Sequence, residues 1–151
     1  MTLADNLRVP LLYTVNARHG SHLSRDEIAA RAADLLTLVG LQDKAAYRPG
    51  DLTQVEMRKL ELARAMAAGP KLLFADEAMA GLSHSEIDDI LALLVRLSER
   101  GITIILIEHI MRAVMSFSQR LVVLVSGRKI ADGAPDAVIR EPEVERAYLG
   151  Q

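Results

Sequence analysis

Cysteine and tryptophan are both missing from this chain. Without cysteine there are no disulfides, no thiolate chemistry and no cysteine-ligated zinc. Aromatic residues make up only 3% of the sequence, so a stacking platform for nucleic-acid bases is not expected. The net charge is -2 with no clustered basic stripe, so no nucleic-acid partner is expected. No apolar run approaches the ~20 residues a spanning helix needs, so direct membrane insertion is not expected. The opening "MTLADNLRVPLLY" lacks a basic stretch leading into a long apolar core, so no signal peptide is expected and the chain reads as cytoplasmic. Also absent are internal repeats, low-complexity segments and, most consequentially, any G-x-x-x-x-G-K-[ST]. None of the nine glycines precedes a lysine, and Gly127 is followed by Arg128.

What remains has the profile of a globular domain: 151 residues, half of them hydrophobic, long enough for a real core. The first twenty residues read as irregular, with "NARHGSH" (Asn16 to His22) as an exposed loop. Its His19 and His22 have no acidic partners in sequence and read as solvated side chains rather than metal ligands. "SRDEIAARAADLLTLVG" is an amphipathic helix. Ser24 and Glu27 form a capping box, Gly40 is the stop, and Ile28, Ala32, Leu35, Leu36 and Val39 share a face. After a turn around "YRPGD", "LTQVEMRKLELARAMAAG" is a second helix closed by Gly69-Pro70. "KLLFADEA" and "ITIILIEH" are continuous apolar runs suited to buried parallel strands. Between them lies a helix capped by Ser83 and Glu86, with Ile87, Ile90, Leu91, Leu94 and Val95 as its stripe and Gly101 at its end. "HIMRAVMSFSQ" is a short helix, "RLVVLVSGRKIADG" a hairpin turning at Ser126-Gly127, and the remainder short helical turns. Strand, helix, strand predicts an α/β fold with a parallel sheet and helices packed on it. The front of the chain is helical and offers that sheet no strand.

The chemistry gathers at strand ends, where open parallel sheets bind ligands. The first strand ends in Asp76 and Glu77, the second in Glu108 and His109. Alternation keeps two adjacent side chains of a strand from pointing the same way. One carboxylate can therefore serve a Mg²⁺ ion while the other faces an attacking water, a division suited to phosphoryl transfer to water. The plain alternative is a solvated acidic pair.

These residues carry a resemblance. "LLFADEAMAGL" looks like the Walker B strand and D-loop of an ABC transporter ATPase, and "ITIILIEHIMRAVM" resembles the strand bearing that family's switch histidine. "LTQVEMRKLELARAM" stands where the signature motif and its helix belong, and "MTLADNL" resembles the segment after the Q-loop. The tail ending in Tyr-Leu-Gly is similar to the branched-chain amino acid importer subgroup. The resemblance implies a partial P-loop NTPase core: residues 1–69 as a helical subdomain with a signature-like helix, and residues 70–151 as the C-terminal half of the ATPase core with a C-terminal β-hairpin. It implies ATP and Mg²⁺ as cofactors of a complete domain or dimer. Asp76 would hold the metal, Glu77 would polarise the attacking water, and His109 would contact the γ-phosphate. The D-loop Ala80, Gly81, Leu82 and Ser83 would cross to a second ATPase domain. The signature-like Leu52, Thr53, Gln54, Val55 and Glu56 would face ATP held mainly by that domain. Transmembrane permease subunits would be the other partners, placing the chain at the inner face of the plasma membrane. The implied function is that of an ATP-binding importer subunit for branched-chain amino acids or a similar solute.

Two departures stand against the family pattern. The phosphate-cradling loop is absent, together with the Q-loop and the adenine-stacking aromatic, so the chain alone is expected to bind ATP poorly and to be catalytically incompetent. The signature, Leu-Ser-Gly-Gly-Gln in the family, is here Leu52-Thr53-Gln54-Val55-Glu56. Thr-x-x-Glu is equally a capping box that would satisfy the helix's own donors. Ala78 also replaces the usual proline, and Ser83 could serve simply as the next helix's N-cap. A second functional class stays open, a non-catalytic module that docks on a transporter membrane subunit. An independent Mg²⁺ hydrolase is a third reading, with no second acidic cluster to support it. Missing sheet neighbours would expose apolar strand edges, so self-association or marginal stability is expected.

Overall fold

In the computed structural model, residues 1–15 and 23–149 are described; the loop with His19 and His22 lies outside them, as does Gly150. The chain divides into two compact units, Met1–Ile105 and Leu106–Gln151.

The first unit opens with a helix, α1 (Leu3–Pro10), continued by a π-helical turn over Leu11–Val15. This corrects the expectation of an irregular start. The signal is a spacing of four: Leu3, Leu7 and Leu11 are all buried, so one helical stripe enters the core. Thr2 caps it, accepting from the Asp5 N–H at 3.2 Å while the Asp5 carboxylate accepts from the Thr2 N–H at 3.1 Å. Its first turn is tied down by the Leu3 N–H donating to the Tyr47 carbonyl at 2.9 Å. Helix α2 (Arg25–Val39) has the expected box, with the Ser24 N–H donating to Glu27 at 2.7 Å, and ends at Gly40 with φ 74. Short 3-10 turns over Gln42–Lys44 and Pro49–Asp51 lead to α3 (Gln54–Ala67). Helices α1, α2 and α3 pack on one another around Leu3, Leu7, Ile28, Leu36, Leu60 and Ala63.

Strand β1 (Leu72–Asp76), helix α4 (His84–Glu99) and strand β2 (Thr103–Ile107) follow. The two strands pair, joined by α4 as the crossover of a parallel β–α–β arrangement. Helix α4 buries Ile87, Ile90, Leu91, Leu93, Leu94 and Leu97. Val95, expected in the stripe, is 42% exposed, because the buried arc is centred on Leu94 and Leu97 instead. The strands also differ from expectation, being covered on one face only. Leu73 and Ala75 are buried, while Leu72, Phe74, Ile105 and Ile107 are exposed, Phe74 by 61%. Among the described residues this sheet has only two strands, so continuous apolar sequence that suits a sheet covered on both faces is left half open.

The second unit is built on a hairpin. Helix α5 (Met111–Phe117) precedes β3 (Leu121–Val125) and β4 (Arg128–Gly133), which pair antiparallel. Ser126 and Gly127, with φ 49 and 77, make the expected two-residue turn, since positive φ at both positions matches the twist of the strands. Short helices α6 (Pro135–Val138) and α7 (Pro142–Val144) close over Val123 and Ala131 with Val138 and Val144. Arg120 and Lys129 both bind Asp132, at 2.8 and 2.9 Å, and hold its carboxyl well below the usual range.

Candidate active site

The acidic pair sits where strand order gives way to a tight turn. Asp76 is the last residue of β1 and is exposed on the same side as Leu72 and Phe74. Glu77 has already left the strand. Its φ is 47, in the left-handed region that non-glycine residues rarely occupy. Alternation along the strand therefore stops at Asp76, and both carboxylates face solvent. A left-handed glutamate costs on the order of 1–2 kcal/mol, and such outliers persist where surroundings over-determine them. Here the turn closes through the Ala80 N–H to the Glu77 carbonyl and the Leu82 N–H to the Met79 carbonyl, each at 3.2 Å. Met79 is fully buried and roots the turn in the core. Gly81 takes φ 76, and Ser83 N-caps α4, its N–H and hydroxyl both donating to Glu86 at 2.8 and 2.7 Å. Ser83 thus performs the helix-capping role the sequence allowed.

The signature-like turn Leu52 to Glu56 also shows its local chemistry. The Thr53 N–H donates to Glu56 Oε2 at 3.0 Å, and the Glu56 N–H approaches Thr53 Oγ1 at 3.4 Å. The capping box is formed. Lys44 Nζ reaches Glu56 Oε1 at 2.6 Å, and this hydrogen bond, with that from the Thr53 backbone, lowers the carboxyl's pKa. Lys44 also stands 5.6 Å from the centroid of the Tyr47 ring. Nothing in the sequence announced Lys44 as the partner of Glu56, because twelve residues and two turns separate them. Gln54 was also missed as a contact: its amide Nε2 donates to the Ala80 carbonyl at 3.1 Å, joining the signature-like turn to the D-loop-like turn inside one unit. A further tie between α3 and α4 is Lys59 to Asp89, at 3.3 Å.

His109 belongs to the second unit, exposed just after the end of β2 with Glu108 before it. Among the described residues no group of three or more His, Asp or Glu side chains could together hold a metal ion. Asp76 by itself fits one carboxylate ligand of Mg²⁺, an ion that keeps several waters and takes its other ligands from substrate phosphates. No helix among the described residues is long and apolar enough to cross a membrane. On the helical side, Val9, Pro10, Tyr13, Glu61, Arg64 and Ala65 line an open groove of about 380 Å³ between α1 and α3.

Comparison with known proteins converges on one family. A family model described as ABC transporter matches residues 1–80. The high-affinity branched-chain amino acid transport ATP-binding protein BraF of Pseudomonas aeruginosa is 42% identical over 129 residues, 85% of this chain and 51% of BraF. The methionine import ATP-binding protein MetN of Latilactobacillus sakei is 33% identical over 153 residues, 99% of this chain and 42% of MetN. The ADP conformation of MJ1267, an ATP-binding cassette of an ABC transporter, aligns with a TM-score of 0.85 at 26% identity, covering all of this chain and 63% of that one. The chain thus spans about half the length of the curated relatives it matches. With the motifs in order, the β–α–β core in place and the family model covering more than half its residues, the chain belongs to the ABC transporter family.

Proposed function

We propose that this chain is the C-terminal portion of the ATP-binding subunit of an ABC importer, which couples ATP hydrolysis to uptake of branched-chain amino acids or a similar solute. The observation that carries the catalytic part is the strained turn at the end of β1, where Glu77 holds φ 47 directly after Asp76. Strain of this kind is retained where function needs it. Support for the solute class comes from the similarity to BraF, although MetN matches nearly the whole chain as well.

In this reading residues 1–69 serve as the helical subdomain and residues 70–151 as the second half of the ATPase core. Asp76 would hold Mg²⁺, whose charge would offset that of the phosphates when bound. Glu77 would accept a hydrogen bond from the attacking water and orient it. His109 would donate to the γ-phosphate. Ala80, Gly81, Leu82 and Ser83 would face a second ATPase domain, and Leu52 to Glu56 the nucleotide held by that domain. Residues 1–151 contain no G-x-x-x-x-G-K-[ST] loop to cradle the phosphates, so by themselves they would not hydrolyse ATP.

A second reading, a non-catalytic module docking on a membrane subunit, draws support from the apolar surface beside the α1–α3 groove. Val9, Leu12 and Tyr13 are 41%, 43% and 75% exposed there. Equilibrium binding of ATP to the purified chain, with and without Mg²⁺, tests the first reading. No binding at millimolar nucleotide is expected for the chain alone. Binding that Asp76→Asn abolishes would mean a phosphate site exists without the missing loop, and the division of roles above would fail.

A further inference from the structure

The turn from Glu77 to Leu82 is held from inside by its own hydrogen bonds and from outside by Gln54. The Gln54 amide donates to the Ala80 carbonyl at 3.1 Å across 26 positions of sequence. The same nitrogen would lie 2.6 Å from a Cβ placed on Gly81, whose φ of 76 already favours glycine, so the end of the Gln54 side chain rests directly on this turn. Two neighbouring residues of one turn thus lie against a single side chain, one of them hydrogen-bonded to it. That side chain starts from a firm base. Gln54 is the first residue of α3, directly after the Thr53 cap, which is itself locked by Glu56 and Lys44. Glycine, which the signature pattern favours at this position, could not reach Ala80.

We propose that Gln54 is a positioning residue: it latches the turn that follows Asp76 to the start of α3 and so holds Glu77 in its left-handed conformation. The inference deepens the role proposed for Glu77, since it matters catalytically only if that carboxylate orients water. The physical argument is direct. A non-glycine residue at φ 47 is uphill in isolation and relaxes unless the chain on both sides is pinned. Before Glu77 the pin is β1, paired with β2; after it the pins are buried Met79 and the carbonyl of Ala80. Removing the donor on Ala80 frees the far side of the turn and lets Glu77 drift toward negative φ. A departure from the family pattern at Gln54 would then have a function of its own, tying the two loops together.

The test compares the full chain, labelled with ¹⁵N and ¹³C, with Gln54→Glu and Gln54→Ala. Gln54→Glu keeps the length of the side chain, removes the donor and suits a helix N-terminus, so α3 is not weakened. Amide exchange at Ala80 and Leu82 is expected to accelerate about fivefold in both variants, the worth of one ordinary hydrogen bond, with Ile28 and Leu36 in α2 unchanged. The one-bond Cα–Hα coupling of Glu77, which separates positive from negative φ, is expected to move toward the negative-φ value. Unchanged exchange and coupling in Gln54→Glu would overturn the latch. Uniform acceleration that includes α2 would overturn it too, because Gln54 would then act only on global stability. Neither readout depends on hydrolysis. A latch that holds while Glu77→Gln leaves the activity of a completed cassette intact would sink the proposed role of Glu77 and leave the positioning intact.

Discussion

The helices α1 to α3 and the strand pair β1–β2 solve the same problem to different degrees. Each helix turns most of its apolar stripe inward: Leu3, Leu7, Ile28, Leu36 and Ala63 are nearly or fully buried, Leu35 only in part. The strands bury Leu73 and Ala75 and leave Leu72, Phe74 and Ile105 in solvent. Helices carry their backbone partners within themselves, so three of them can close a core unaided. A parallel strand needs neighbours at both edges and cover on both faces, and two strands with a single crossover supply neither. The helical stretch is complete as it stands, and the strand pair is not.

Breaking the complete side should have the largest effect. Leu7→Ala empties a fully buried position among α1, α2 and α3 and is expected to lower unfolding stability in urea by ~2–5 kcal/mol. A loss below 1 kcal/mol would mean the helical core is looser than its burial indicates. Next comes the cap of α3. Thr53→Ala removes an acceptor for the Glu56 N–H and should cost about 1 kcal/mol by the same measurement. The Glu56 carboxyl is held below its ordinary value of 4.5, first by Lys44 and then by the Thr53 backbone. Its contribution is therefore present above that value and lost as pH falls through the lower, folded one. The stability gap between the parent chain and Glu56→Gln should accordingly shrink on acidification below about pH 4.5, and a gap that widens there would contradict the pairing.

Glu77→Gly sharpens the contrast from the other side, because it relieves strain rather than creating a cavity. It should raise stability by roughly 0.5–1 kcal/mol while abolishing any water-orienting role. A loss of stability would show that the left-handed backbone is not a source of strain. The smallest effect on folding belongs to the open sheet face. Phe74→Thr should change stability by no more than about 0.5 kcal/mol. It should also reduce concentration-dependent association, read by sedimentation, and unchanged association would show that this face is not what brings chains together.

How much was legible beforehand varied with the range of the interaction. Helix α2 could be bounded to the residue from Ser24, Glu27 and Gly40, because a capping box spans three residues and a left-handed glycine only one. The turn at Ser126 and Gly127 was legible for the same reason. Helix α1 was missed even though Leu3, Leu7 and Leu11 mark its face; Pro10 lies inside this helical run, where the α-helix passes into the π-helical turn. The acidic pair was visible at a strand end, but alternation gave the wrong account of how its two members part. Glu77 leaves the strand before alternation can apply.

By itself, then, the sequence determined where α2, α3 and α4 begin, where the hairpin turns, that a strand ends at the Asp76–Glu77 pair, and that residues 1–75 contain no G-x-x-x-x-G-K-[ST]. All of these depend on residue types within a few positions of one another. Only the tertiary structure decided that Glu77 is left-handed, that Lys44 neutralises Glu56, that Gln54 reaches Ala80, and that Phe74 faces water. Each of those depends on which surfaces meet. The same Leu72-Leu73-Phe74-Ala75 run would be buried on both faces in a larger sheet and is half exposed in this one, because burial is a property of neighbours rather than of residues.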